Sequence, residues 1–367
     1  GSQKMLGRRL FSEGIRGVRR MSSAAKARVL VSQTTNPFFN LATEEWLFRT
    51  GDVSIPTLYL WRNEPTVVIG RCQNPWKEVN VQKMQSAGVH LARRSSGGGA
   101  VYQDSGNTNF TFLTSVDNHD KERNTDIIIR ALADFGLTAE ASGRNDIVVG
   151  GCKVSGAAYK LAPPRALHHG TLLIDVDMGA LGGLLNPNKL KMQSKGVSSV
   201  TSRVSNLKAL NADISHESLT QRVIDSFCRY YGAEGVQTEL LDLGELEKIE
   251  SLTQVFNEIQ DDEWRYGQTP AFSHHMEGRF ESPSPWGTID VHIESAKGKI
   301  TGAKIFSDSL HPNLIEAVEA SLIGVNYDSS GIDAALKAAL ATPAGAEMGA
   351  SGGAHIEEFA GWVKQML

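Results

Sequence analysis

The stretch "RRSSGGGAVYQDSGNTNF", residues 93–110, decides how the rest of the chain is read. It sets two arginines, two serines and three consecutive glycines directly before an alternating, strand-like run. Glycine loses more backbone freedom on folding than any other residue, so an ordered run of three has to be needed as bare backbone. The usual phosphate loops do not account for it: there is no G-x-x-x-x-G-K-S/T, and the glycines lead into a strand instead of opening a helix. Gly97, Gly98 and Gly99 instead let a ligand approach the chain closely and present amide groups to it. Arg93 and Arg94 are neighbours on a strand, so their side chains leave on opposite faces and only one enters the same site. A guanidinium suits a phosphate there, because its planar fork donates two parallel bonds. The bland alternative is a tight turn with an arginine in a surface ion pair.

A second stretch shifts the balance. "NDIVVGGCKVSGAAYKL", residues 145–161, reads as a hairpin turning at Gly150 and Gly151. A two-residue turn sets Val149 opposite Cys152, Val148 opposite Lys153, Ile147 opposite Val154 and Asp146 opposite Ser155. Opposed and alternate residues share a face. Asp146, Val148, Lys153 and Ser155 therefore lie on one side, while Ile147, Val149, Cys152 and Val154 form an apolar side for the core. The first set aims an ammonium at an anion, with the carboxylate holding a magnesium ion or the lysine. A solvated cross-strand ion pair is the plain alternative. Cys152 adjoins the lysine, but its apolar face reads as a core thiol.

Around these motifs the 367-residue chain has the balance of an ordinary soluble protein, 41% hydrophobic and 21% charged, and room for two domains. No apolar run reaches the roughly 20 residues of a membrane span. Three cysteines, at 72, 152 and 228, are too few for a disulfide framework, and no Cys/His spacing fits zinc. Residues 1–28 hold eight Lys and Arg against Glu13 alone, leaving 29 basic and 40 acidic residues beyond them. An acidic body argues against nucleic acid as a partner. The Arg- and Ser-rich start has the make-up of a mitochondrial transit peptide, a cytoplasmic or plastid location being the alternative.

Helices are expected from about Asn40 through Leu47, over "PWKEVNVQKMQSAG" to Gly88, and at 126–135, 217–231 and 245–259. Strands flank the glycine loop, form the hairpin and include "HHGTLLIDVD". Without a regular βαβ alternation, the class is α+β with a mixed, largely antiparallel sheet. A second small α+β unit follows "DDEWRYGQTPAFSHH": two strands around Lys297-Gly298, helices at 314–323 and 356–365, and a mobile Gly/Ala-rich connection between them. The expected organisation is a segment 1–28, a large first domain 29–262 and a small second domain 270–367.

"RRSSGGGAVYQDSGNTNFTF", "GRNDIVV", "CKVSGAAYK" and "HHGTLL" resemble the active-site blocks of lipoate–protein ligases. "VVIGRCQNPWKE" upstream, "SSVTSRVSNL" downstream and "YGQTPAFSH" in the second unit fit in order, from about Val29 to the C-terminus. The resemblance implies a biotin/lipoate ligase catalytic domain, distantly similar to class II aminoacyl-tRNA synthetases, with a small C-terminal accessory domain. It implies that ATP and Mg2+ convert lipoate to lipoyl-AMP. The lipoyl group then passes to a lysine of a lipoyl carrier domain, such as a 2-oxoacid dehydrogenase E2 subunit or the glycine cleavage H protein. The chain is expected to act as a monomer. Carried over, Lys153 is the catalytic lysine, also facing the nucleotide. Arg94 and the backbone of Gly99, Ala100, Val101 and Tyr102 bind nucleotide, Ser95, Gly98 and Gly99 lie along the lipoyl chain, and Asp146 is the magnesium candidate.

Two departures stand out. Gln103 occupies the place where the resemblance implies His before Asp104; Gln can donate and accept hydrogen bonds but cannot carry a proton. The hairpin turn is also shorter than expected for a bacterial relative. The rival readings are an acyltransferase that needs preformed lipoyl-adenylate, and a carrier-binding scaffold. Retention of Lys153 and of the whole glycine loop speaks against the scaffold. His168 and His169 lack a third metal ligand at useful spacing and read as packing or pocket-edge hydrogen bonding.

Overall fold

The computed structural model describes residues 27–143, 145–185, 192–194, 204–233, 235–269, 271–280, 284, 286–309, 311–346, 348–349 and 352–367. All but the last two residues of the basic segment 1–28, and the start of "SSVTSRVSNL", lie outside them.

The strands, in chain order, are β1 (Arg28–Ser32), β2 (Thr57–Trp61), β3 (Thr66–Ile69), β4 (His90–Arg93), β5 (Val101–Gln103), β6 (Asn107–Ser115), β7 (Ala139–Ser142) and β8 (Asp146–Val149). Then come β9 (Cys152–Ala162), β10 (Arg165–Leu173), β11 (Met192–Ser194), β12 (Thr238–Leu241), β13 (Phe272–Arg279), β14 (Thr288–Ala296) and β15 (Lys299–Ser307). An eight-stranded sheet runs β12-β1-β2-β6-β10-β9-β8-β7. β1 is parallel to β12 and β2, and the other five pairings are antiparallel. That is the mixed, largely antiparallel α+β arrangement expected. A small sheet β4-β3-β5 holds the glycine loop between its outer strands.

The middle of the large sheet is covered on both faces. Along β2, Leu58 and Leu60 pack with helices α2 (Lys121–Ala133) and α3 (His216–Tyr231). Tyr59 and Trp61 pack on the other side with α1 (Pro37–Thr50) and α4 (Glu250–Gln260). Strict alternation of the side chains thus feeds two separate cores from one strand.

Several elements differ from the sequence expectations for local reasons. α1 starts at Pro37, because Asn36 Oδ1 accepts from the amides of Phe38 and Phe39 at 3.0 and 2.9 Å and proline suits the first helical position. The helix expected up to Gly88 is two short ones, Pro75–Glu78 and Val81–Ser86, since Val79 is extended and bridges Leu185. The helix expected over 245–259 is likewise divided, Glu245–Lys248 and then α4. In the hairpin, Gly150 and Gly151 have φ of +58° and +76°, as a two-residue turn requires. A bulge then shifts the register, so Ile147 opposes Ser155 and Asp146 opposes Gly156. Ser155 accordingly does not oppose Asp146 as expected. Cys152 is half-buried at the turn and lies outside the core, contrary to the core-thiol reading.

The accessory unit is an antiparallel sheet β11-β13-β14-β15 backed by α5 (Pro312–Leu322), α6 (Ser329–Leu340) and α7 (Gly352–Met366). Its first strand, β11, is donated from within residues 29–262, so one sheet uses both segments. α6, capped by Asp328, was not anticipated, and the Gly/Ala-rich stretch read as a connection supplies the turn Pro343–Ala346 and the start of α7. Trp76 joins the units: it is 1% exposed, and its ring meets Tyr266 and Phe272 tilted at 5.6 and 5.5 Å and Tyr327 edge-on at 5.2 Å. Aromatic pairs of this kind contribute about 0.5–1.5 kcal/mol each beyond burial. No helix of the described residues is long and apolar enough to cross a membrane.

Candidate active site

A cavity of about 660 Å³ opens between the glycine loop and the bent hairpin β8–β9. Its walls include Gly97, Gly98, Gly99, Ala100 and Val101 on one side, and Asp146, Lys153 and Gly156 on the other. Leu41, Trp61 and Val68 supply apolar surface, and His169, Gly170 and Thr171 of β10 a further wall.

Lys153 Nζ lies 2.8 Å from Asp146 Oδ1, both side chains a quarter exposed. The bulge makes this pairing possible, because it brings Asp146 opposite Gly156 in place of Ser155. A Cβ at 156 would stand 2.8 Å from Lys153 Cε and Nζ, so only glycine leaves room for the ammonium. The Lys153 backbone is held on its second side as well: its carbonyl accepts from the Ser205 amide at 3.0 Å, and Val204 bridges it in parallel.

The two arginines take opposite faces, as expected of strand neighbours. Arg93 is fully buried and donates to the carbonyls of Arg71 and Gln73 at 2.9 and 2.8 Å. It also reaches the Trp264 and Arg265 carbonyls, at 3.0 and 2.7 Å, within the single π turn Glu263–Gly267. It is a strut between the glycine-loop sheet and the connection to the accessory unit. Arg94 turns the other way and donates to the carbonyls of Val68, Gly97 and Gly99 at 3.1, 2.7 and 2.8 Å. Burial pushes its pKa down to about 10, against an opposing pull from Glu44, so it stays a cation at neutral pH. Arg94 thus lines the cavity while its guanidinium is spent on the loop's own backbone. Gly98, at φ +92°, is the loop residue whose conformation requires glycine, and a Cβ there would lie 2.9 Å from Arg94 Nη2.

Ser95 and Tyr102 are not among the cavity-lining residues. Ser95 Oγ donates to Glu45 Oε2 at 2.7 Å, and Lys160 Nζ meets the same carboxylate at 2.7 Å. Burial alone would raise the Glu45 carboxyl; Lys160, with Ser95 and Arg49, outweighs it and holds the group below the usual range. Tyr102 is buried with Val67, Ile69 and Leu91, so only its main chain is left to meet a nucleotide.

A buried polar network escaped sequence reading. Ser96 Oγ is 2.6 Å from His169 Nε2, His169 Nδ1 is 2.8 Å from Glu44 Oε1, and Thr111 Oγ1 donates to the same oxygen at 2.6 Å. It pins the loop to α1 and β6. The signal was present in "NLATEEW", where two carboxylates occupy a helix that buries most of its surface. His168 is the packing residue of the pair, its ring among Phe110, Phe112 and Tyr159. Gln103 is 3% exposed; its carbonyl accepts from Asn63 Nδ2 at 2.8 Å and its amide donates to Asn109 at 2.9 Å. Both halves of the amide are used, so this side chain is held in place by one bond accepted and one donated.

Residues 36–228 match the lipoyl protein ligase A/B catalytic domain, and residues 269–362 the bacterial lipoate protein ligase C-terminus. The chain belongs to the lipoate–protein ligase family and is an enzyme of the ligase class. It is 47% identical over 313 residues to lipoate-protein ligase A of Psychrobacter cryohalolentis, covering 84% of this chain and 91% of that protein. Among solved structures it resembles P. falciparum LipL1 in complex with lipoate, at 31% identity and a TM-score of 0.60 over 92% of this chain and 99% of that one. A lipoate-protein ligase A bound with ATP matches at 26% identity and TM-score 0.54, over 65% of this chain and 98% of that one. The bipartite lipoate protein ligase of Thermoplasma acidophilum, described alongside its E2 lipoyl domain, matches at 25% identity and TM-score 0.55, over 65% of this chain and 96% of that one.

Proposed function

We propose that this chain uses ATP to activate lipoate as lipoyl-adenylate and then transfers the lipoyl group to a lysine of a lipoyl carrier domain. The observation that carries this reading is the placement of the Lys153 ammonium on the cavity wall, across from the glycine loop. In the first step a lipoate carboxylate oxygen bonds to the α-phosphorus of ATP and the bond to pyrophosphate breaks. In the second, the carrier amine attacks the acyl carbon, an amide forms, a proton is lost and AMP departs. Negative charge develops at the same locus in both steps, and a fixed cation there lowers both barriers.

The lipoyl chain needs an apolar channel, in which each buried methylene contributes about 0.8 kcal/mol. Leu41, Trp61 and Val68 supply such surface. Octanoate differs little along that chain, so discrimination against it is expected to be modest. Magnesium travels with nucleotide phosphates and needs only one or two protein carboxylates. Asp146 fits that requirement, since it meets Lys153 through Oδ1 and has a second carboxylate oxygen to offer. The ion would supply neutralisation of phosphate charge. The lipoate-bound, ATP-bound and E2-domain relatives support the same substrates and partner for this chain.

The test is pyrophosphate release from the purified protein given ATP, magnesium and lipoate with no carrier present. A lipoate-dependent burst is expected. Absence of release, with acylation of a carrier from supplied lipoyl-adenylate, would reduce the protein to a transferase.

A further inference from the structure

The outer face of the accessory sheet carries a second cluster of chemistry, none of whose residues line the cavity. β13 and β14 pair antiparallel, with His275 opposite His292 and Glu277 opposite Asp290. The alternate residues of the same strands, His274, Met276, Val291 and Ile293, are buried beneath them. These four outward side chains therefore stand in a rectangle on a rigid platform.

Their atoms converge. Asp290 Oδ1 lies 2.5 Å from His275 Nε2 and 3.1 Å from His292 Nε2. The ligand atoms of all three residues fall within 4.8 Å of one another. Glu277 Oε1 is 3.4 Å from His275 Nε2. The imidazoles stack at 4.3 Å with planes 17° apart, and the Phe306 ring meets His292 edge-on at 5.7 Å. Lys304 opposes His292 on β15, but its ammonium is held 3.1 Å from Glu319 Oε1. Two imidazole nitrogens turned on one carboxylate oxygen are either an exposed hydrogen-bonded trio or a set of metal donors. A tetrahedral zinc with bonds of roughly 2.1 Å spaces its donor atoms about 3.4 Å apart, within reach of this arrangement.

We propose that His275, Asp290 and His292, with Glu277 as a fourth donor, form a binding site for a divalent transition metal of the zinc type. Imidazole with carboxylate selects zinc, cobalt or nickel over magnesium and calcium, whose preferred shells are all oxygen. The side chains are 36–46% exposed for the three convergent residues, so an ion enters from solvent without opening the fold. The site clips two adjacent strands of the accessory unit together and touches none of the ligation machinery.

The experiment uses the full-length chain without a polyhistidine tag, stripped with chelator, then titrated with Zn2+ by calorimetry and with Co2+ by visible absorption. The expected result is one ion per chain with a tetrahedral cobalt spectrum. Binding should vanish in a His275→Ala/His292→Ala double variant and weaken at least about tenfold in Asp290→Asn, the minimum seen when even an outer-shell partner is lost. Circular dichroism confirms that the variants fold. No ion bound by the unaltered chain, or unchanged binding by the folded double variant, would overturn the proposal.

Discussion

The Lys153 ammonium lies 2.8 Å from the Asp146 carboxylate, in space that any side chain at position 156 would occupy. A strand bulge, a glycine and an ion pair therefore act together to aim one cation at the cavity.

Replacing Lys153 by Ala is expected to lower lipoyl transfer by roughly 10²–10³-fold, the scale on which single preorganised charge-stabilising donors act. Asp146 loses its partner but stays partly solvated, so stability should move by no more than about 1 kcal/mol. Transfer assays beside a denaturation curve check both. Ordinary turnover by the folded variant would remove Lys153 from the chemistry.

Gly156→Ala separates aiming from charge. The new methyl would sit 2.8 Å from Lys153 Cε and Nζ, and the far end of a lysine can swing aside. The fold should survive with a loss below about 1–3 kcal/mol, the usual range for overpacking. Turnover should fall while the charge count is unchanged. A variant with full activity would show that the ammonium need not be held where it is.

Glu44→Ala removes the acceptor shared by His169 and Thr111, leaving two buried donors without it. About 1–3 kcal/mol for each orphaned group predicts a combined loss of several kcal/mol. Glu44→Gln keeps an acceptor oxygen and should lose much less. Urea midpoints of the pair are the measurement; equal losses would mean that the acceptor oxygen at position 44 is not what holds the network together.

Acid should weaken the fold before the carboxylates titrate. His168 is pushed down to about 3, chiefly by burial and then by His169, His119 and Lys121. His216 is pushed down to about 4 by burial and Arg62. Both lie below the roughly 6.5 of an unfolded histidine, so the unfolded chain takes up protons first. Their stabilisation is full above pH 6.5 and drains as pH falls toward 4 and then 3. Between pH 7 and pH 5 the loss should be on the order of 1–2 kcal/mol per group. His168→Phe, set among Phe110, Phe112 and Tyr159, should flatten that slope. An unchanged slope would place the titration elsewhere.

Much of the site was legible because it is written in local chemistry. The split of Arg93 and Arg94 between two faces follows from strand geometry, and the hairpin turn from Gly150 and Gly151. An unbroken ladder would keep Ser155 opposite Asp146, but the bulge between Ile147 and Val148 moves Ser155 away and brings Gly156 opposite it. Nothing in "NDIVVGGCKVSG" announces that extra residue, because a bulge is chosen by how the strand must bend against its neighbours.

The same division holds for the fold. Strand alternation, proline and glycine positions and capping residues determined the α+β class, the hairpins and most helices, since each depends on residues a few positions apart. Contacts between distant segments were decided only by tertiary structure. β11 joins the accessory sheet, Trp76 packs under the accessory unit, Arg93 spans 172 positions to Arg265, and Ser96, His169 and Glu44 meet in one buried network. Local propensity cannot encode such meetings, because a buried polar or aromatic group takes whichever partners the packed core brings within reach.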